Sequence, residues 1–376
     1  MEIRVERSTD PQENRGSWTF PATIVIGVLV VGGLGYFGYT QFKAADAEAF
    51  KRLNISMSDY NDAQIYKLSP IVKDYTADYC DPASKIALVD KVRSAGFVEL
   101  AARLATDHYN RCAKDARLLM IASDNYTELG QYTKALEITE RLIQYDPANY
   151  NIRFRRGKIY EAMKRFDKAL VDYTSTLALL GRPEHVAVSQ FYEIASMYAA
   201  LGKFCEAATP LETYIAFDYV KRRDPQILHL IEEYRAKGNC AQPIQNSSSY
   251  VRAQKSGAVL LVEGTVNGVA GTFILDTGAS LVSVTRTFAE KAKIPLDPEN
   301  QTTFATANGI TTGILATADS IQLGSEFSTH IPISVMEDKK LRTSDSDQIV
   351  GLMGMSFLSR FDVMVKTDGV ELRSKF

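Results

Sequence analysis

Apolar residues near the start of the chain form one unbroken stretch. Residues 16–42 contain no charged side chain, and Arg15 and Lys43 bound the stretch. A helix of about 20 apolar residues is long enough to cross a hydrocarbon core of ~30 Å. The pattern therefore predicts a transmembrane helix over 16–42, preceded by an N-terminal tail over 1–15.

The same stretch also fits a cleaved signal peptide, with residues 45–47 (Ala-Asp-Ala) as the cleavage site. Its length and the tail before it favour an uncleaved signal-anchor. The numbers of Lys and Arg residues on the two sides of the apolar stretch are nearly equal, so they do not fix its orientation in the membrane. A short tail before the span and a large body after it predict a single-pass protein of the inner (cytoplasmic) membrane. Its N-terminus would lie inside and its body in the periplasm.

Residues 44–240 change to a helical pattern, with apolar positions recurring at intervals of three and four. The pattern repeats with an offset of 34 residues and then of 38, which adds four residues between the last two units. Three columns of residues keep these offsets: Tyr126, Tyr160 and Tyr198; Tyr132, Phe166 and Phe204; Ala135, Ala169 and Ala207.

These columns, with Pro147, Pro183 and Pro225 closing the units, resemble tetratricopeptide repeats (TPR). The resemblance covers about 115–236 and lacks the first Trp of the consensus. It implies an all-α TPR-like solenoid of stacked helix pairs, and a surface for a peptide or partner. A spacer that holds the last domain away from the membrane is the other interpretation.

Beyond the helical region the composition becomes polar and then strand-like. Residues 241–257 are rich in Ser, Asn, Pro and Gly and predict a linker. Residues 259–266 and 269–275 then alternate as β-strands around Asn267-Gly268, a pair typical of hairpin turns.

The second of these strands runs directly into a five-residue motif: Asp276, Thr277, Gly278, Ala279 and Ser280. After two large apolar residues, this order resembles the active-site loop of aspartic proteases. The segments that follow resemble retropepsins, the single-lobe retroviral type. More closely, the chain resembles bacterial membrane-anchored retropepsin-like (clan AA) aspartic proteases with an N-terminal TPR-like helical domain.

Two later segments extend the resemblance over 258–376, which is expected to be an all-β acid-protease lobe. A Thr-rich hairpin matches the flap that closes over substrate, and an apolar-apolar-Gly segment followed by a short helix matches the second loop of the lobe. The flap and substrate-binding candidates are Ala307, Asn308, Gly309 and Ile310, and the second-loop candidates are Ile349, Val350 and Gly351.

The resemblance implies a mechanism with two carboxylates that share one proton across a water molecule. The chain has one Asp-Thr-Gly, so the active site is expected to form between two Asp276 residues of a homodimer. By resemblance, Thr277 braces the pair across the two-fold axis, Gly278 permits the turn and Ser280 bonds the outer carboxylate oxygen. The terminal strands at 259–266 and 370–376 are expected to interleave between the copies.

Charge and metal-ligand patterns exclude other classes. Lys and Arg number 43 and Asp and Glu 45, a balance that gives no support for a nucleic-acid partner. The four histidines are scattered without HExxH or CxxC spacing, so neither a metal nor an organic cofactor is expected. By spacing, the cysteines fall in two pairs, Cys80 with Cys112 and Cys205 with Cys240, which are disulfide candidates in an oxidising compartment, although four cysteines allow three pairings. Four buried free thiols are the alternative.

The sequence as a whole predicts a membrane-anchored aspartic endopeptidase that cleaves envelope or periplasmic proteins without a cofactor. The alternative is a non-catalytic TPR scaffold whose protease-like lobe only binds partner peptides. The presence of Asp276, Thr277 and Gly278 favours the enzyme.

Overall fold

The computed structural model describes residues 46–75, 78–112, 114–180, 185–240, 247–306, 309–338 and 349–375. The predicted tail and the predicted span over 16–42 lie outside these residues. Within the described ranges, every helix is too short or too polar to cross a membrane. The chain divides into two units after Gly96, and each is described by itself.

The first unit is helical. Its elements are α1 over 46–52, a 3-10 turn over Met57–Asp59, α2 over Asp62–Asp74 and α3 over Pro82–Ser94. Polar side chains fix where the two longer helices begin. Asn61 and Gln64 form a reciprocal capping box at α2, and Asp81 caps α3 ahead of Pro82.

The second unit begins with paired helices. They are α4 Val98–Arg111, α5 Ala116–Glu128, α6 Tyr132–Tyr145, α7 Tyr150–Ala162, α8 Phe166–Leu180, α9 Val188–Ala200, α10 Phe204–Ala216, α11 Tyr219–Arg222 and α12 Pro225–Gly238. Tyr132, Phe166 and Phe204 each begin the second helix of a pair.

The turns and the small residues of the three helix pairs also match from one pair to the next. The Ala column is fully buried, which lets the two helices of each pair approach closely. Gly130, Lys164 and Gly202 occupy the same turn position, and all three have φ between 58° and 73°. The helix-pair prediction is therefore confirmed over these units.

The rest of the second unit is a ten-stranded sheet with two short helices. The strands are β1 Ser248–Ser256, β2 Val259–Val266, β3 Val269–Leu275, β4 Val282–Thr285, β5 Gln301–Thr306, β6 Gly309–Leu323, β7 Glu326–Met336, β8 Ile349–Met353, β9 Phe361–Val365 and β10 Gly369–Ser374; the helices are α13 Arg286–Lys291 and α14 Met355–Leu358. Their order is β5-β6-β7-β4-β8-β3-β2-β1-β10-β9, and β6 also pairs with β2.

Two sequence expectations about the strands need correction. Residues 248–256, predicted as linker, form β1, because alternate side chains at Ser249 and Val251 are buried and the backbone pairs with β10 and β2. The predicted interleaving strands are also already paired within the chain. Strand β10 lies between β1 and β9, and β2 lies between β1 and β3. In the described part of the sheet, β9 is the end strand on this side.

The helices from α4 onward and the sheet belong to one compact unit. Helix α8 packs on β5, and α10 packs on β7 and α14. The backbone N–H of Thr303 in β5 donates to the Ser175 hydroxyl in α8 at 3.0 Å. Leu315 of β6 is part of the hydrophobic core of the helices. The first strand of the predicted flap is therefore held against the helical region.

The cysteine prediction is confirmed for the pair nearest the sheet. Cys205 and Cys240 form a disulfide with a Cα–Cα distance of 5.6 Å, which ties the start of α10 to the residue after Asn239. None of the four cysteines of the described residues has a free thiol.

Candidate active site

The Asp-Thr-Gly turn lies at the end of β3. The Asp276 backbone N–H donates to the Met353 carbonyl at 3.1 Å, which continues the pairing of β3 with β8. The Gly278 N–H donates to Asp276 Oδ1 at 2.8 Å and orients the carboxylate. Asp276 is half-buried, whereas Thr277 and Gly278 are exposed. The strand end fixes the carboxylate while the turn remains accessible from outside the chain.

The predicted second loop lies directly beside this turn. Strand β8 runs parallel to β3 on one side and antiparallel to β4 on the other. Both neighbours approach closely at Gly351, where a Cβ would lie 2.1 Å from the Ser283 carbonyl. Ile349 is buried and Val350 is half-buried. Glycine is therefore required at 351 by the approach of a neighbouring backbone.

We expect Gly351→Ala to lower the free energy of unfolding by about 1–3 kcal/mol, because the new methyl group overpacks against backbone that cannot rotate away. Gly278→Ala is the matched variant, since its Cβ would meet only Asp276 Oδ1, at 3.2 Å. We expect it to change stability less than Gly351→Ala. Urea unfolding measures both changes, and equal losses would contradict the assignment of Gly351 to a packed crossing.

Helix α14 supports the far side of the Asp276 turn. The Met355 N–H donates to the Ala279 carbonyl at 2.8 Å, and the Ser356 hydroxyl accepts from the Val282 N–H at 2.9 Å. These bonds connect the residues after the turn to α14. A displacement of α14 would therefore move the segment that carries Asp276.

Ser280 does not take the predicted position. It is half-buried and, with Leu281 and Ser356, lines a small apolar cavity whose other wall is formed by α8, α9 and α10. Among the hydrogen bonds of the described residues, none joins Ser280 to Asp276. Ser280 therefore lines the cavity beside the helices.

The predicted flap is a hairpin of β5 and β6. The register pairs Thr306 at the end of β5 with Gly309 at the start of β6. Ala307 and Asn308, both predicted flap residues, lie outside the described residues. Gly309 has φ +101°, a conformation that favours glycine, and Ile310 is 44% exposed. Ile310 thus offers an apolar surface at the start of β6.

A buried ion cluster joins α14's C-terminal side to the helices. Glu212 of α10 lies 2.9 Å from Arg360 Nη2 and 2.6 Å from Arg235 Nη2. Arg360 also donates to the Ser356 carbonyl and to the Thr209 hydroxyl. The side chains of all three ionic residues are at least nine-tenths buried. The cluster therefore connects the helical region to the helix that supports the Asp276 turn.

The pKa values in this cluster follow from burial and opposing charge. Burial would raise the pKa of Glu212, but the guanidinium groups of Arg360 and Arg235 outweigh it and hold the pKa below its usual value. Burial lowers the pKa of Arg360, and Glu212 opposes that shift. Glu212 is thus ionised and is the one carboxylate between two buried cations.

Sequence reasoning missed Glu212, Arg235 and Arg360. Glu212 lies on an apolar face of α10, between Leu211 and Ile215, where a charged side chain breaks the helical pattern. This break in the apolar pattern was the signal in the sequence that could have identified Glu212. The identity of its partners was not visible, because Arg360 is distant in sequence and lies directly before β9.

The comparisons with known proteins match the two architectural regions. Residues 262–360 match the family described as "gag-polyprotein putative aspartyl protease", and residues 126–171 match "Tetratricopeptide repeat". Each match covers less than half of the chain. The first coincides with most of the sheet and the second with α6, α7 and part of α8, so the chain has a TPR-like helical region and a C-terminal β domain that matches an aspartyl protease family model.

Solved structures with some similarity fall into the same two classes. A retropepsin-like aspartic protease from Rickettsia conorii is 25% identical, with 35% of this chain and 96% of that chain covered and a TM-score of 0.24. A MamA structure is 17% identical, with 44% and 99% covered and a TM-score of 0.35. A thermophilic TPR protein of Thermus thermophilus is 18% identical, with 41% and 81% covered and a TM-score of 0.31. No curated protein matches the chain.

Proposed function

We propose that the protein is an aspartic endopeptidase that acts as a homodimer. The observation that carries the proposal is the exposed turn at the end of β3, where Asp276 is held by the Gly278 N–H while Thr277 and Gly278 face outward. One chain supplies one such carboxylate. A second copy that presents the same turn would complete the pair, with Thr277 of each chain near the symmetry axis.

The proposed chemistry needs only the two carboxylates and a water molecule. Two like charges at close range cannot both ionise, so the pair shares one proton. The ionised Asp276 takes a proton from the water as it attacks the peptide carbonyl carbon. The protonated Asp276 of the other copy donates to the carbonyl oxygen. No metal ion or organic cofactor takes part in this scheme.

The substrate would be an extended protein segment that lies between the Asp276 pair and the flap. Extended peptides bind such sites through backbone hydrogen bonds and side-chain pockets. The exposed Ile310 at the start of β6 supports an apolar contact with the bound segment. The Thr303–Ser175 hydrogen bond also connects the first strand of the flap to α8.

We further propose that the chain is anchored in the inner membrane and that its body lies in the periplasm. The uncharged residues 16–42 support the anchor. The disulfide-bonded state of all four cysteines supports an oxidising compartment. The substrates would then be envelope or periplasmic proteins, and the TPR-like surface would recruit them or another partner.

The test uses the full-length chain in detergent, because residues 16–42 are apolar. The chain is incubated at several pH values with a proteome-derived peptide mixture, and new termini are identified by mass spectrometry. We expect cleavage whose specific rate rises with chain concentration, because monomers associate into the active form. The Asp276→Asn chain is the control.

The outcomes of this test separate the enzyme from the scaffold. Cleavages present with wild type and absent with the control establish the peptidase and its preference. No cleavage at any pH, with a monomeric mass at micromolar concentration by light scattering, would favour a scaffold that only binds peptides. No cleavage by a clear dimer would contradict peptidase activity of the isolated full-length chain.

A further inference from the structure

An open cleft of about 550 Å³ lies where α7 and α8 meet the segment before β5. Its wall is basic. Arg153, Arg156, Arg165 and Lys168 line it together with Tyr160, and Pro298, Glu299 and Gln301 form the opposite side. None of the active-site residues described above is part of it. The cleft therefore belongs to a different part of the second unit.

The repeat columns show that two of these arginines are unusual. With the same offsets of 34 and 38 residues, the position of Arg153 is occupied by Leu119 and Phe191 in the other two units. The position of Arg156 is occupied by Ala122 and Ile194. All four equivalents are buried apolar residues. Only the middle unit places two guanidinium groups at core positions, where an unpaired charge is costly.

The carboxylate opposite these arginines satisfies only one of them fully. Asp172 of α8 is completely buried and accepts two hydrogen bonds from Arg156, at 2.7 and 2.8 Å. Arg153 Nη1 is 3.8 Å from the same carboxylate. Arg153 is 8% exposed, and its buried Nε atom has no hydrogen-bond partner among the described residues. Arg153 and Arg156 thus share the single negative charge of Asp172. The Arg153 guanidinium is buried with one unused hydrogen-bond donor and is not fully neutralised.

The surrounding charges leave the cleft positive. Lys168 pairs with Glu299 at 2.7 Å, and Glu140 adds a carboxylate near Arg156. The guanidinium groups of Arg156 and Arg165 lie 5.7 and 5.4 Å from the Tyr160 ring centroid. Four cations therefore face three carboxylates. Burial lowers the pKa of Arg153, and Asp172 offsets that shift only in part, as expected for a cation with too little opposing charge.

We propose that this cleft binds a phosphate group, free or carried on a larger molecule, through Arg153, Arg156, Arg165 and Lys168. Guanidinium groups bind phosphate oxygens in bidentate geometry, and a phosphate supplies the missing negative charge beside Arg153. Because Gln301 begins β5, a bound phosphate would also join α7 to the segment that leads into the flap. This proposal does not depend on peptidase activity.

The test is titration calorimetry of the full-length chain with inorganic phosphate and, separately, with glycerol phosphate, at constant ionic strength in a chloride buffer. Arg153→Gln is the informative variant, because Asp172 keeps its two hydrogen bonds from Arg156 and the fold keeps its buried pair. Arg155→Gln is the matched control on the same helix, since Arg155 pairs with Asp124 instead. Urea unfolding confirms that both variants are folded.

We expect saturable binding to wild type and to Arg155→Gln, and a Kd at least about tenfold weaker for Arg153→Gln, as for the loss of one charged hydrogen-bond donor. Tighter binding of inorganic phosphate would identify free phosphate as the ligand. Equal or tighter binding of glycerol phosphate would identify a phosphate ester. Absence of saturable binding of either probe to wild type, or an equal loss in Arg155→Gln, would overturn the proposal.

Discussion

Peptide cleavage is expected to fall by at least about 10³-fold when Asp276 is replaced by Asn, because the pair of carboxylates is the only proposed source of acid–base catalysis. Asn has the same shape as Asp, and its side-chain oxygen can still accept the Gly278 N–H. The turn should therefore keep its conformation. Rates of peptide cleavage, with urea unfolding as a check on the fold, measure the effect.

Asp319→Asn is the control for this variant. Asp319 is exposed on β6 and is followed by Ser320, so it shares part of the motif without the supporting strand end. We expect its cleavage rate to match that of wild type. Equally low cleavage rates in both variants would contradict the assignment of Asp276. A wild-type cleavage rate in Asp276→Asn would contradict it as well.

Mixing the two chains tests whether each site needs two copies of Asp276. At equal concentrations, about a quarter of randomly assembled dimers contain two wild-type chains. The rate per wild-type chain should then fall to about half, because mixed dimers hold only one carboxylate. A rate per wild-type chain that rises to about 1.5-fold would show that one Asp276 is sufficient in a dimer, because mixed dimers would then also be active. An unchanged rate would show that each wild-type chain acts independently of its partner.

The second large effect is expected on stability. Glu212→Gln should lower the free energy of unfolding by about 3–5 kcal/mol, because it leaves two buried cations, Arg235 and Arg360, without their carboxylate. Arg360→Met should cost less, since it leaves the neutral pair of Glu212 and Arg235. Urea unfolding of the full-length chain measures both variants.

Glu233→Gln is the matched control on α12. Glu233 pairs with Lys237 on the surface, where solvent screens the pair and it contributes little to stability. A loss in Glu212→Gln as small as that of Glu233→Gln would show that the cluster is not needed for stability. A larger loss of stability in Arg360→Met than in Glu212→Gln would contradict the charge argument.

The same cluster gives the stability a definite pH dependence. The pKa of Glu212 is held below its ordinary value of 4.5, so the unfolded chain takes up the proton more readily. The contribution of Glu212 is therefore present above about pH 4.5 and is lost as the pH falls through the lower folded pKa. Unfolding measured between neutral and acid pH should show this loss in wild type and a smaller one in Glu212→Gln.

Much of the fold could be predicted from local patterns in the sequence. The offsets of 34 and 38 residues located the helix pairs, since each second helix begins at Tyr132, Phe166 or Phe204. Alternation and Asn267-Gly268 located the first hairpin, because both turn residues have positive φ. These features depend on residues near one another in the chain, so periodicity and turn chemistry are sufficient to predict them.

Other features depended on partners far along the chain. The polar composition of residues 248–256 is typical of a linker. These residues form strand β1 because their backbone pairs with β10 and β2, which are distant in sequence or follow later in the chain. Ser280 was expected beside Asp276, but the packing of α8–α10 against the sheet gives it a different neighbourhood. Nothing local to either segment distinguishes these alternatives.

By itself the sequence determined the candidate catalytic carboxylate, because Asp276 follows two large apolar residues and precedes Thr277-Gly278, a purely local signature. It also determined the glycine-containing second loop and named the four cysteines as disulfide candidates, while the structure decided that Cys205 pairs with Cys240. Only the tertiary structure decided that α8 and α10 pack on the sheet, and that Glu212 lies between Arg235 and Arg360. The physical reason is that burial and charge pairing are set by contacts between distant segments, which a linear pattern of residues does not record.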